Sequence, residues 1–267
     1  MKPGIYDMPA AEYHSGPGVS KSMLDRIAQS PAHLRAYLDS PKDDPTPSML
    51  IGTLTHLAVF EPDLFGEGKS HHVKPEGMSF VSKDGKAWRD AHQDKPILSI
   101  EDAAGIKGMV HSVRNHPMVS VILKKGSAEQ SMYAVHQETG VLRRGRADWL
   151  TEDATGRPCI ADLKTTDDAR EFERKAAGFR YHVQNAYYAD ILDAVGVSDP
   201  AFLFIVVERN APFGVRVVQF DTESVDLGRA TYEREIALFA DCQERGEWPG
   251  YDDEITTVSL PGWVKKL

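Results

Sequence analysis

The chain has 267 residues, enough for one large domain or two small ones with a full core, so folding calls for neither disulfides nor a structural metal. With 41% apolar and 27% charged residues it is not disordered, collagen-like or membrane-embedded in composition. A net charge of −9 excludes a general polyanion binder, so any contact with nucleic acid needs a local basic surface or a metal. No run approaches the roughly 18 apolar residues of a membrane span, and the opening MKPGIYDMPAAEYHS lacks the apolar stretch of a secretory signal. The two cysteines, Cys159 and Cys242, form no CxxC pair, which argues against a zinc ribbon or disulfide scaffold and fits a reducing cytoplasm.

No internal repeat is visible. Residues 1–48 are rich in Pro, Ser and Asp and carry two short helix candidates. Ser20 is placed to cap KSMLDRIAQ, and Pro31 stands at a favourable first position for AHLRAYL. Residues 41–47 read as a loop. MLIGTLTHLAVF (49–60) reads as a mostly buried helix stopped by Glu61-Pro62. Residues 63–98 show little periodicity and are expected to be an irregular excursion, followed by an amphipathic helix over 100–117. Residues 129–136, 140–150 and 158–164 are strand candidates, separated by turn signals at 138–140 and 153–158. An apolar stripe from Phe172 through Phe179 and Val183 to Ile191 predicts one helix over 171–195. AFLFIVVE (201–208) has the continuous apolar character of a central strand; VRVVQF (215–220) is another strand, and 222–245 a last helix. The order predicts a mixed central sheet flanked by helices, an α/β fold with a helical N-terminal portion. We expect a single domain over 1–267: a mainly helical part (1–125), a sheet core (126–250) and a C-terminal tail (251–267).

The sharpest chemical feature is Ile160-Ala161-Asp162-Leu163-Lys164. On a strand, Asp162 and Lys164 project together, while Ala161 and Leu163 face the other way into the core. Alone, the pair is also what a rim ion pair would look like. Asp148, in LRRGRADWL on the preceding strand, adds a second carboxylate able to converge on Asp162. Two such carboxylates repel unless one is protonated or a cation joins them. Oxygen ligands suit magnesium or manganese, and the Leu163 carbonyl can add another oxygen. A lysine beside such an ion can orient water and neutralise a phosphoryl oxygen. His56 follows Gly52 by one helical turn, where a missing side chain would permit close approach; a core histidine is the plainer reading of that position alone. Gln184 and Tyr188, four apart, share a helix face beside the apolar stripe.

GxxxH, then a strand Asp, then D-x-K, then QxxxY in this order resembles the PD-(D/E)xK nucleases of the RecB type. GVSKSMLDRIAQSPAHL (18–34), GTLTHLAVFEPDLF (52–65), GRADWL (145–150), DLKTTDD (162–168), FRYHVQNAYYAD (179–190) and SLPGWVKK (259–266) resemble the C-terminal nuclease domain of RecE-type exonucleases. The resemblance spans nearly the whole chain, without the long N-terminal region of full-length RecE. It implies a PD-(D/E)xK restriction-endonuclease-like core and a phage or prophage origin within a bacterial cytoplasm. It implies Mg2+, replaceable by Mn2+, on His56, Asp148, Asp162 and the Leu163 carbonyl. Lys164 would be the catalytic lysine, with Asp148, Asp162, Gln184 and Tyr188 in the catalytic set and Glu129 a further acidic position. The implied partners are double-stranded DNA ends, other copies in a ring-shaped tetramer, and a RecT-like annealing protein. RecB-type members with an iron–sulfur cluster use four cysteines, so two exclude that subtype.

Arg144 and Arg146 share strand parity with Asp148 and, with Gln184 and Tyr188, are expected to meet the substrate; Arg143, Lys124-Lys125 and Lys265-Lys266 are further basic spots. The expected activity is metal-dependent digestion of linear duplex DNA from an end; the resemblance implies a 5′ to 3′ direction that leaves 3′ single strands. A structure-specific or single-strand nuclease on the same core, and a non-catalytic DNA-binding module, are the alternatives. A metal-dependent oxygenase would need a second histidine beside His56.

Overall fold

The structure is a computed structural model that describes residues 1–41, 44–153, 155–252 and 254–259. In chain order its elements are β1 (Gly4–Asp7), α1 (Ala10–Ser15), α2 (Lys21–Ile27), α3 (Pro31–Asp39), α4 (Pro47–Phe60), β2 (His72–Val73), α5 (Lys83–Ala91), β3 (Ile97–Leu98), α6 (Ile100–Asn115), α7 (Pro117–Ile122), β4 (Ser127–Val135), β5 (Leu142–Glu152), β6 (Pro158–Thr166), α8 (Phe172–Gly178), α9 (Tyr181–Ala194), β7 (Ala201–Glu208), β8 (Val215–Val218) and α10 (Thr222–Arg245).

Six strands form one sheet in the order β1-β4-β5-β6-β7-β8. Neighbours are antiparallel except β6 and β7, which run parallel because the chain crosses over through α8 and α9 between them. Both faces of the central strands are covered, so these strands are apolar on alternate sides rather than on one. Phe204 and Val206 pack beneath α9 and α10, with Val183, Ala186, Tyr187, Tyr232 and Ile236. Ile205 and Val207 face α4 and α6, with Leu54, Ala58, Ile106 and Met109. That two-sided burial explains the unbroken apolar run of β7. The result is the expected mixed sheet flanked by helices.

The helix starts follow local chemistry. The Ser30 hydroxyl accepts from the His33 N–H at the start of α3, with Pro31 at its first position, and Thr46 does the same for Met49 in α4. Ser20 does stand at the N-cap of α2 but makes no side-chain cap bond.

Three expectations need correction. Residues 63–98 are not wholly irregular: they contain α5 and the two-stranded parallel pair β2–β3, elements too short to show a period. The N-terminal segment also holds β1, the edge strand of the main sheet. The single helix over 171–195 is a short 3-10 turn (Ala169–Glu171), then α8, then α9, broken at Phe179-Arg180, where Arg180 adopts φ 57°. Tertiary contacts fix that break: Arg180 donates to Asp25 and Glu235, and the Lys21 ammonium donates to the Phe179 carbonyl at 2.7 Å. Phe179, counted in the apolar stripe, is 60% exposed. The amphipathic helix does end before Pro117, at Asn115, and Pro117 then starts α7. Residues 260–266 of the C-terminal motif, with Lys265-Lys266, lie outside the described residues.

Candidate active site

The site lies where the sheet forks. β5 and β6 pair from Glu152↔Pro158 to Trp149↔Ala161, and the next residues on that register are Asp148 and Asp162, where the ladder has ended. Beyond it, β5 stays with β4 and β6 with β7. The β4–β5 ladder is broken at the same level. Ala128 pairs with Trp149 and Gln130 with Ala147, but Glu129 between them takes φ 53°, left-handed for a residue with a Cβ. Ala147 packs with the α9 cluster and Trp149, two residues on, with the α4 cluster. Regular alternation would put them on one face, so β5 changes sides at Asp148.

Asp148, Asp162, Lys164, His56 and Gln184 come together in this fork. The Lys164 Nζ lies 2.5 Å from Asp162 Oδ2. Gln184, buried on α9, donates from Nε2 to Asp162 Oδ1 at 2.6 Å. Asp148 Oδ2 accepts from the Leu163 N–H at 2.9 Å and stands 3.0 Å from His56 Nδ1. Ala161 and Leu163 point into the α4–α6 cluster, as the strand period requires. Tyr188, one turn after Gln184, is held against β5 by Gly145: a Cβ there would come within 2.9 Å of the ring. The glycine that matters sterically is therefore Gly145. A Cβ at Gly52 would meet only Thr165 Oγ1 at 3.7 Å, so His56 does not depend on a close approach there.

Charge is arranged unevenly. Asp162 is 2% exposed. Burial pushes its carboxyl above the usual carboxylate range, reinforced by Asp148 and opposed by Lys164. Asp148 moves the other way: burial alone would raise it, but His56 and Lys164 together hold it low. Burial also works against charge on His56 and Lys164, yet Asp148 keeps the imidazole above its ordinary value, and Asp162 with Asp148 does the same for the ammonium. One carboxylate is thus stabilised by cations and the other carries the cost of burial. Asp162 Oδ2 has the Lys164 ion contact but no partner in hydrogen-bonding geometry. A buried carboxylate oxygen in that condition is open to a cation.

The donor set therefore fits a hard divalent ion in kind: two carboxylates, an imidazole and the Leu163 carbonyl. Among the described residues no three His, Cys, Asp or Glu side chains stand together as a finished metal cage. Lys164 and His56 lie against the carboxylate oxygens that such an ion would take, so binding requires those cationic partners to yield.

Arg144 and Arg146 reach the same cleft, of about 560 Å³, lined also by Tyr13, Lys21, Glu129, Asp148, Gln184 and Tyr188. Both also bond within the protein, although the buried Arg144 Nε has no hydrogen-bond partner among the described residues. Arg144 donates to the carbonyls of Tyr13 and Gly16. Arg146 donates to Glu129 at 2.5 Å, to Ser131 Oγ at 2.6 Å and to the Met8 carbonyl at 3.0 Å. Glu129 is accordingly a partner of Arg146, and burial beside Asp148 raises its carboxyl. Arg143 points away, buried under Tyr187 and Tyr232, and Lys125 is an exposed partner of Glu152. Three contributors escaped the motifs. Tyr13 faces both Arg144 and Arg146, its ring centroid 5.2 and 5.6 Å from their guanidinium carbons. Lys21 lines the cleft from the start of α2, and Tyr181 faces Lys164. Lys21 and Tyr181 fall within the segments 18–34 and 179–190 without a role of their own there, and Tyr13 left no trace in the sequence.

A crystal structure of a protein from Eubacterium rectale, described as a "Putative exonuclease", is similar to this chain with a TM-score of 0.66 and 12% identity, covering 96% of this chain and 97% of that one. At that identity the likeness is one of fold. No curated protein is similar enough to count as a match. Over residues 20–261 the chain matches the PDDEXK-like domain of unknown function (DUF3799), and it belongs to that family.

Proposed function

We propose that this protein is a divalent-metal-dependent exodeoxyribonuclease that degrades linear duplex DNA. The observation that carries the reading is the meeting of Asp148 and Asp162 where β5 and β6 part, with the Lys164 ammonium 2.5 Å from Asp162. A carboxylate pair with an adjacent cation, where two paired strands part, is suited to hydrolysing a phosphodiester. Family membership and the fold shared with the Eubacterium rectale protein support a nuclease.

In this reading His56, Asp148, Asp162 and the Leu163 carbonyl hold Mg2+, with Mn2+ able to replace it. The bound ion supplies charge neutralisation at the scissile phosphate. Lys164, kept as an ammonium by its two carboxylate neighbours, donates to a phosphoryl oxygen and stabilises the charge that develops there. Gln184 keeps Asp162 oriented by its 2.6 Å bond. The water oxygen attacks phosphorus, the bond to the 3′ oxygen breaks, and the products are a 5′-phosphate and a 3′-hydroxyl. Tyr188 borders the strand path. Arg144 and Arg146 shape its wall through Tyr13, Glu129 and Ser131, and present positive charge to phosphate.

The RecE-type resemblance supports 5′ to 3′ polarity, a tetrameric ring around the duplex, a RecT-like annealing partner, and a phage or prophage protein acting in the bacterial cytoplasm. The net charge of −9 agrees with DNA confined to a local basic path. Among the described residues no helix is long and apolar enough to cross a membrane.

The test is digestion of end-labelled linear duplex with and without Mg2+, beside the same DNA as a closed circle. Loss of label from the 5′ end, survival of the circle and abolition by chelator are expected. Nicking of the circle at a comparable rate would favour an endonuclease, and full activity in excess chelator would remove the metal. Lys164→Ala should lower turnover by about 10²–10³. Retention of a tenth or more would return Lys164 to a rim ion pair.

A further inference from the structure

The Lys164 ammonium rests against an aromatic ring as well as beside carboxylates. Its Nζ stands 4.7 Å from the centroid of the Tyr181 ring, as well as 2.5 Å from Asp162 Oδ2. At that range an aromatic face attracts a cation through its quadrupole. The ring is firmly placed. It stacks on Phe179, Phe172 and Phe204 at centroid distances of 5.6, 6.0 and 5.7 Å and interplanar angles of 23°, 27° and 24°. Lys164 meets the ring face of Tyr181 rather than its phenol oxygen. Tyr181 is also the first residue of α9, the helix that carries Gln184 and Tyr188.

A metal on Asp162 needs the oxygen that Lys164 now contacts. Resting on that oxygen alone, Lys164 would compete with every arriving divalent cation. We infer that Tyr181 is a positioning residue for Lys164: its ring holds the ammonium beside Asp162, so that Asp162 can accept a metal while Lys164 stays in the site. This rests on the metal-site reading above and adds the residue that resolves the rivalry between the lysine and the ion. Carboxylate and ring face share the ammonium, and the balance between them sets how readily the carboxylate is given up.

Mn2+ titration by calorimetry, on the full chain without DNA, tests this. Tyr181→Leu removes the ring face and keeps an apolar side chain. It should weaken Mn2+ binding by about 3- to 30-fold, the range spanned by partly to fully desolvated cation–π contacts. Tyr181→Phe keeps the face and should restore wild-type affinity. In a Lys164→Ala background the Leu substitution should no longer weaken binding, because the competitor is gone. A loss of equal size in that background would make Tyr181 merely structural and overturn the inference, as would failure of Phe to rescue. Wild-type protein that takes up no Mn2+ would overturn the metal reading and this inference with it, so the two failures are distinct. Steady-state kinetics at saturating Mn2+ add an independent reading: Tyr181→Leu should lower kcat with KM for DNA unchanged.

Discussion

Removing the amide of Gln184 tests the electrostatics of the fork without touching a charged residue. The Nε2 group donates to Asp162 Oδ1 at 2.6 Å, and Asp162 Oδ2 has no other hydrogen bond, only the ion contact with Lys164. Gln184→Met keeps the side-chain volume and deletes the donor. A hydrogen bond to a buried charge is worth about 1.5–3 kcal/mol, so the variant should lose about that much stability without metal at pH 8. At about 2–4 °C per kcal/mol for a domain of this size, a loss of 2 kcal/mol lowers Tm by roughly 4–8 °C. The sign of the pH dependence follows from Asp162. Its carboxyl already lies above the usual value, chiefly through burial. Losing a donor to the charged form raises it further. The gap between wild type and variant should therefore be full above the variant's value and close as pH falls through it, because a protonated Asp162 no longer needs the donor. Urea unfolding in chelator at a series of pH values measures this. A loss under about 0.5 kcal/mol, far below that hydrogen-bond range, or one that does not change with pH, would refute the picture of Asp162 as a carboxylate held by Gln184.

Gly145→Ala should reduce nuclease activity by displacing Tyr188, since the new Cβ would lie 2.9 Å from the ring, while Tm falls by only a few degrees; unchanged kcat with normal folding would remove Tyr188 from the cleft wall. Gly228→Ala, on α10, should instead cost about 1–3 kcal/mol or more, because its Cβ would meet the His182 carbonyl oxygen at 2.2 Å and force α9 and α10 apart; a urea midpoint equal to wild type would refute that packing. Metal affinity should fall on mild acidification. Burial resists charge on His56, but Asp148 holds its pKa above 6.5, so protons displace metal at a higher pH than a free imidazole would require. Calorimetric Mn2+ titration from pH 8 downward checks this, and an affinity constant to pH 5.5 would exclude His56 as a ligand.

The sheet was legible in the sequence because two-sided burial leaves a strong mark. Phe204, Ile205, Val206 and Val207 are all apolar because both faces of β7 are covered. Asp162 and Lys164 stood out against that background for the same reason. The excursion was harder to read: α5 and the β2–β3 pair are short and half-exposed, and elements of that size rest on their packing rather than on a period. The break between α8 and α9 left no mark either. It is made by Asp25, Glu235 and Lys21, residues distant in sequence, and the apolar spacing runs through it undisturbed.

The arginines show where strand parity reaches its limit. Parity brings Arg144 and Arg146 to the cleft, and they line it. What parity could not say is that Tyr13, Gly16 and Met8, from the N-terminal segment, would fold over and accept hydrogen bonds from them. That segment pins itself to the sheet as β1 and through these arginines, so it forms one wall of the cleft rather than an appendage. The fork itself has the same origin. Asp148 and Asp162 repel, Glu129 adds a third carboxylate, and the ladder that would press them together ends one residue short. The strands part where pairing would cost most, and that gap is where Lys164, His56 and Arg146 bring positive charge.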